Sequence, residues 1–279
     1  MSLTDNESAA ALRGSALRRY VEAHILPYVE TPAQYTGGEF NQIVKDHAAA
    51  KAKVVLGMPD TYAMGMSSLG LRILYHVWNS HTDTLCERVF APWPDMEARM
   101  RERRVPLYSL ETFTPVRDFD VFALSVAYEG GFTNVLTMLD LAGIPLHAAD
   151  RTARDPLVIM GGHAAYAPEP MADFIDAFCL GDGEELVVEV TDKIAQLKAA
   201  GLDRETILYR LACDVPGVYV PRFYRADYGS DGLLTAITPL RDGVPFPVQR
   251  RAVKDLETAP LPTNPIVPCV EIVHERYAV

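Results

Sequence analysis

Asp60, Tyr62 and Gly65 stand in the spacing Asp-x-Tyr-x-x-Gly, directly after the apolar run Val54-Val55-Leu56-Gly57-Met58-Pro59. That puts an acid, a ring and a glycine on the loop at the carboxyl end of a strand, the side on which open α/β sheets bind ligands. Glycine admits a close backbone approach. A neutral imidazole at position 62 would be a good donor to a transition metal. The phenol found there has an ordinary pKa of about 10 and is a poor donor unless ionised. The plain structural reading of Tyr62 is a partly buried ring with its hydroxyl hydrogen-bonded.

Three further glycine-containing loops follow apolar runs: Tyr128-Glu129-Gly130-Gly131, Gly161-Gly162, and Gly181-Asp182-Gly183-Glu184. Parallel strands would bring all four loops to one rim. Taken singly, each is more simply a turn; together they suit a flat ligand over the sheet edge. Helix N-termini on the same rim favour anionic groups. No Gly-x-Gly-x-x-Gly follows the first strand and no phosphate-binding Gly-Lys-Ser/Thr loop is present, so a dinucleotide or nucleoside triphosphate site is disfavoured.

The elements that must position these loops read as follows. Residues 1–50 are a helical extension, with a helix over Ser15 to Leu26 that Pro27 and Pro32 interrupt, then a turn at Gly37-Gly38 and a short polar helix. From Lys53, short apolar runs alternate with amphipathic helices. Strands are expected at Val54 to Gly57, Thr84 to Phe90, near Tyr108 to Leu110, at Val121 to Val126, Leu157 to Met160 and Phe174 to Leu180. Helices are expected with Leu69, Ile73, Leu74, Val77 and Trp78 inward after a Ser67 or Ser68 cap, from Pro94 onward, after a Thr133 or Asn134 cap, and with Leu186, Val187, Val190, Ile194 and Leu197 inward. This alternation predicts a Rossmann-like, flavodoxin-like α/β fold, a doubly wound parallel sheet, over residues 51–200. Residues 201–268 read as a β-hairpin, from Gly217 to Tyr224 and Leu233 to Ile237 around Gly229-Ser230-Asp231-Gly232, then a Pro-rich extended linker. Residues 269–279 would begin a new element.

The bulk properties set limits. The chain has 279 residues, a formal net charge of −11 and 23% charged residues, the composition of a globular protein. The acidic balance disfavours a nucleic-acid surface. The basic run Arg99 to Arg104 reads as a solvated helix face. No run approaches the roughly 18 apolar residues of a membrane span, and the acidic N-terminus lacks a signal-peptide core, so a cytoplasmic location is expected. Cys86, Cys179, Cys213 and Cys269 are far apart and read as small buried apolar residues, without the spacing of an iron–sulfur loop.

Leu157 to Glu185 carries an apolar strand, Gly161-Gly162, Pro168-Glu169, Asp176 and the ending Gly181-Asp182-Gly183-Glu184. This stretch resembles the N-terminal cobalamin-binding-like domain of radical S-adenosylmethionine (radical SAM) proteins. Pro32 to Glu39, with Asn41 and Lys45, resembles one subfamily of them, and the resemblance runs from about residue 15 to the end of the chain. In corrinoid domains an Asp-x-His-x-x-Gly loop places histidine under cobalt. Asp60 and Gly65 match that loop, while Tyr62 replaces the histidine. Ser125 sits where a channel-lining serine would, although Val126-Ala127 departs from Ser-x-Leu; Gly161 and Gly162 match the glycine pair. His163 is an alternative donor on another loop.

The resemblance implies a cofactor-binding set of Asp60, Tyr62, Gly65, Ser125, Glu129, Gly130, Gly161, Gly162, Gly181, Gly183 and Glu184, and cobalamin bound without a histidine axial ligand. It also implies a downstream barrel whose cysteines hold a [4Fe–4S] cluster that binds S-adenosylmethionine. Tyr277-Ala278-Val279 resembles the start of that barrel, so the chain reads as a fragment that is not catalytic alone. Its expected partners are that barrel and a small-molecule or macromolecular substrate. The rival reading is a cobalamin-free structural or recognition module packing on the barrel. A third is an independent small-molecule enzyme using Asp60, Glu129, His163 and Glu184.

Overall fold

The structure is a computed structural model that describes residues 9–255, 257 and 259–267. The expectations for Cys269 and for residues 269–279 lie outside the described residues.

Six strands form the main sheet among the described residues: β1 (Ala52–Met58), β2 (Thr84–Phe90), β3 (Val121–Ser125), β4 (Leu157–Gly161), β5 (Ala177–Cys179) and β6 (Val218–Tyr219). Their order is β2-β1-β3-β4-β5-β6. The first five are parallel, with Val54 opposite Val121 and Phe122 opposite Val158; β6 closes the edge antiparallel to β5. The order 2-1-3-4-5 is that of a flavodoxin-like doubly wound sheet, with its switch point between β1 and β3. The central strand β3 is apolar, as a parallel strand buried on both faces requires, its first four residues buried; the edge strand β2 is buried throughout but carries the charged Glu87 and Arg88.

The helices are α1 (Gly14–His24), α2 (Tyr62–Ser67), α3 (Leu69–Ser80), α4 (Pro94–Arg103), α5 (Phe132–Leu141), α6 (Gly183–Ala199) and α7 (Arg204–Asp214). Ser68 caps α3, its Oγ accepting from the Leu71 amide at 3.3 Å. Pro94 opens α4, whose first turn carries Asp95 and Glu97, the charge sign a helix N-terminus favours. The basic run at its end is exposed and ion-paired, with Arg101 bridging to Glu97 at 2.8 Å and to Asp140 of α5 at 2.5 Å. α3 and α6 lie side by side over one face of the sheet; right-handed crossovers in this strand order assign α4 and α5 to the other.

The fold differs from the sequence reading in several places. No helix follows Gly37-Gly38. Instead the Ile43 amide donates to the Tyr75 hydroxyl at 2.8 Å, Lys45 Nζ reaches the carbonyls of His81 and Thr84, and Asp46 closes its own turn onto the Ala48 amide. Residues 108–110 form only a bridge, Tyr108 opposite Pro115, because the chain turns back at once through Ser109 and Thr114. α5 starts at Phe132, and Asn134 does not cap it; its side chain donates to the Pro59 carbonyl at 3.0 Å, tying α5 to the loop after β1. β5 is shorter than expected, beginning at Ala177 after the Asp176 amide donates to the Val158 carbonyl at 3.0 Å.

After residue 200, α7 was not anticipated. Asp203 caps it, accepting from the Thr206 amide at 2.7 Å, and Leu208 and Leu211 are fully buried. The expected hairpin is present as β7 (Tyr224–Tyr228) and β8 (Leu234–Pro239). Its anticipated first arm is divided, because Val218–Tyr219 joins the main sheet. The Pro-rich segment lies back on the domain: Arg251 bridges to Gly181, and buried Ile266 accepts from the Asn41 amide at 3.1 Å.

Candidate functional site

β1, β3, β4 and β5 send alternate side chains to the face beneath α3 and α6. Between them lies a cavity of about 170 Å³. Its floor includes Leu56, Ala123, Ile159 and Cys179, and its roof Ile73, Leu74, Val187 and Val190. Six of the expected site residues converge on it from three strand ends: Ser125, Gly161, Gly162, Gly181, Gly183 and Glu184. The walls are mainly apolar. Trp78 also lines the cavity, and its buried indole N–H has no hydrogen-bond acceptor among the described residues, a costly state for a donor.

The glycines serve different purposes. A Cβ on Gly161 would meet nothing nearer than 3.7 Å, so this position opens onto the cavity. Gly162 has φ +93°, and a Cβ there would fall 2.4 Å from the Val126 carbonyl oxygen; glycine is required by the backbone itself. Gly181, at φ +108°, lets Arg251 pass, since a Cβ would come 2.1 Å from the Arg251 carbonyl oxygen. Gly183 leaves room for Leu74, 2.9 Å from a Cβ built there.

The remaining expected residues lie outside the cavity. Asp60 Oδ1 accepts from the Thr61 amide at 2.7 Å, closing its own loop. Gly65 packs on the Phe90 ring, 2.0 Å from where a Cβ would sit. Glu129 and Gly130 are exposed on the turn after β3, and His163 is exposed after β4. Among the described residues no hydrogen bond joins any two of Asp60, Glu129, His163 and Glu184, so the structure does not assemble them into a catalytic group.

Tyr62 is a half-buried ring, edge-on to Phe90 at 5.5 Å. Its hydroxyl donates to Glu39 Oε1 at 3.0 Å. This is the plain structural reading of that residue. Burial, followed by the Glu39 charge, pushes the phenol well above its ordinary value. Glu39 in turn holds Arg88, which also binds Glu111 at 2.6 Å. Burial raises the Glu39 carboxyl, but Arg88 outweighs it and the net shift is downward. Glu111, fully buried, is shifted upward by burial despite Arg88. Desolvation works against the Arg88 charge, yet the two acids more than restore it.

This network escaped the sequence reading because its members lie on the extension, on β2 and on a connecting loop. The roof of the cavity carried a legible signal: α3 has apolar residues on two faces, Leu71 and Tyr75 toward the core and Ile73 and Leu74 toward the cavity. Cys86 and Cys179 are buried, and burial pushes the Cys179 thiol up to about 12. Among the described residues no group of three or more His, Cys, Asp or Glu side chains is placed to hold a metal ion, and no helix is long and apolar enough to cross a membrane.

No curated protein and no solved structure matches the chain. Residues 70–221, just over half of it, match the family model for radical SAM proteins, N-terminal. The matched span begins in α3 and ends just past β6, and so contains the residues named in the cavity lining other than Leu56 of β1. That family implies a radical SAM catalytic domain in the full protein, carrying a [4Fe–4S] cluster and S-adenosylmethionine. The chain belongs to the family of radical SAM protein N-terminal domains.

Proposed function

We propose that this domain, centred on residues 51–200, presents cobalamin to the radical SAM catalytic domain, with the ring at the end of the nucleotide tail in the cavity beneath α3 and α6. The observation that supports this is the convergence of Ser125, Gly161, Gly162, Gly181, Gly183 and Glu184 on one mainly apolar cavity. An apolar cavity of roughly 150 Å³ holds one benzene ring, so about 170 Å³ would admit part of the bicyclic tail ring and is too small for the corrin. A ring bearing an acceptor atom also answers the unpaired Trp78 N–H. Cobalamin bound there supplies an organometallic centre for methyl transfer or radical rearrangement. The chain's own residues bury the tail, orient the group over the rim and exclude water from the cavity. Tyr62, whose hydroxyl donates to Glu39, would serve the packing of the loop.

The test is retention of hydroxocobalamin absorbance through gel filtration. Roughly one corrinoid per chain is expected for the native protein and none for Gly161→Leu, which fills the cavity from a position with space for a Cβ. Gly162 is unsuitable for this purpose, because a side chain there strikes the Val126 backbone. Native protein that retains no corrinoid, or a Gly161→Leu protein that retains it fully, sinks the reading.

The second reading, a cobalamin-free structural or recognition module, is favoured by one observation. Tyr62 is locked to Glu39 and Arg88, which makes the Asp60–Gly65 loop a packing element. Absence of saturable corrinoid binding supports it.

A further inference from the structure

A second cavity, of about 430 Å³, shares no lining residue with the first. It sits at the β6 edge, beneath the hairpin. Tyr224, Ala226 and Ile237 of the hairpin form one wall, and Tyr219 of β6 stands beside them, its ring 4.9 Å from that of Tyr224. The size falls within the roughly 300–1,000 Å³ of small-molecule sites.

Its polar groups are divided by charge. Glu169 accepts from the Tyr219 hydroxyl at 2.8 Å through Oε1. Its second oxygen, and the whole Asp173 carboxylate, make no hydrogen bond or ion pair with the described residues. Opposite them is Arg222, which donates to the Ala148 carbonyl at 3.0 Å. It is also ion-paired, donating to Glu205 at 3.4 Å and standing 3.6 Å from Asp176 Oδ1. Asp176 already serves Arg151 at 2.9 Å, Arg204 at 2.6 Å and the Val158 amide at 2.8 Å, all through Oδ2. Three guanidinium groups therefore surround one carboxylate, whose buried Oδ1 accepts no hydrogen bond among the described residues, and Arg222 has N–H groups beyond the two that serve Glu205 and Ala148.

Ala148 sets the spacing of the two walls. Its carbonyl accepts from Arg222, and its amide donates to the Asp173 carbonyl at 2.8 Å. Arg222 and Asp173 thus flank one residue without forming an ion pair. A guanidinium is suited to a carboxylate, two carboxylates to an ammonium, and paired rings to an apolar body.

We propose that this cavity binds a small zwitterion of the α-amino-acid type, with its carboxylate on Arg222, its ammonium on Asp173 and Glu169, and an apolar or aromatic side chain against Tyr219 and Tyr224. The site is independent of the cofactor cavity. It gives a role to Glu169, which stands in the Pro168-Glu169 step and lies outside the first cavity.

Calorimetric titration of the chain with phenylalanine tests this, beside phenethylamine, which lacks the carboxylate, and 3-phenylpropionate, which lacks the ammonium. Phenylalanine is expected to bind, with each analogue roughly 10- to 100-fold weaker, the loss of one charged hydrogen-bonding group. Asp173→Asn, at an exposed position, should weaken phenylalanine by a similar factor with an unchanged melting temperature. Ala226→Trp should abolish binding by filling the cavity. No heat with phenylalanine, leucine or lysine at millimolar concentration overturns the proposal, as does phenethylamine binding as tightly as phenylalanine.

Discussion

Both carboxylate oxygens of Glu39 hold the guanidinium of Arg88, at 3.1 and 2.8 Å. Arg88 lies on β2, and its side chain is 0% exposed. Glu111 grips its other edge, and the ring of Tyr75 stands 5.2 Å from its charge centre. An extension that precedes the sheet in sequence is thereby fastened to the sheet's first edge, and Tyr62 is fastened with it.

Removing one partner of a buried ion pair strands the other charge in a dry environment. Glu39→Ala should therefore destabilise the chain by about 3 kcal/mol, read as a lower urea midpoint at unchanged slope. A loss below about 1 kcal/mol, the size of an exposed pair, would show that Glu111 alone satisfies Arg88.

The same pair sets an acid limit. The Glu39 carboxyl is held below its ordinary value of 4.5 in the folded chain, so the unfolded chain binds the proton first as pH falls. Its contribution is complete above about pH 4.5 and is lost as pH drops through the lower folded value. Glu111 acts in the opposite sense, since burial raises it. Subtracting the Glu39→Gln stability profile from the native one should leave a difference that shrinks below pH 4.5. A difference that grows toward acid contradicts the assignment.

Tyr62→His restores the Asp-x-His-x-x-Gly spacing. The imidazole would then face Glu39 in the buried network, away from the rim. The expected outcome is no change in the visible spectrum of added cobalamin. A shift to the spectrum of a histidine-ligated corrinoid would place position 62 beneath the metal.

Arg251 fastens the Pro-rich segment, with its guanidinium on Glu189 at 2.7 and 2.9 Å and on Glu185 at 3.1 Å. Its carbonyl accepts from the Asp182 amide at 3.2 Å. The acids are exposed, so Arg251→Ala should cost about 1 kcal/mol or less, and less again at high salt. Faster hydrogen exchange at the Asp182 amide is the sensitive readout. Unchanged protection there would mean the segment is held by other contacts.

The parallel sheet was legible because its central strands β3 and β4 are apolar runs, and the helices because their apolar residues repeat at helical spacing. Ser68 as a cap and the four glycine loops followed from local chemistry. Less legible were elements whose identity depends on a distant partner. Val218–Tyr219 is a strand because β5 leaves an edge to pair, and residues 42–50 are irregular because Tyr75, His81 and Thr84 compete for their hydrogen bonds. α7 was missed although Asp203 and its four buried apolar or small residues, Ile207, Leu208, Leu211 and Ala212, carry a local signal.

The sequence by itself determined the alternation of strands and helices from β1 to α6, the glycine loops at the strand ends and the family to which they belong, since those depend on periodicity and on residues near one another in the chain. Only the tertiary structure decided what the loops enclose. It sorted Gly161, which opens on a cavity, from Gly162 and Gly181, which admit other backbone. It also committed Tyr62 to Glu39 and Arg88. These outcomes rest on groups brought together from separate segments of the chain, and burial fixes which of them meet, because a charge or a donor taken from water must find its partner inside.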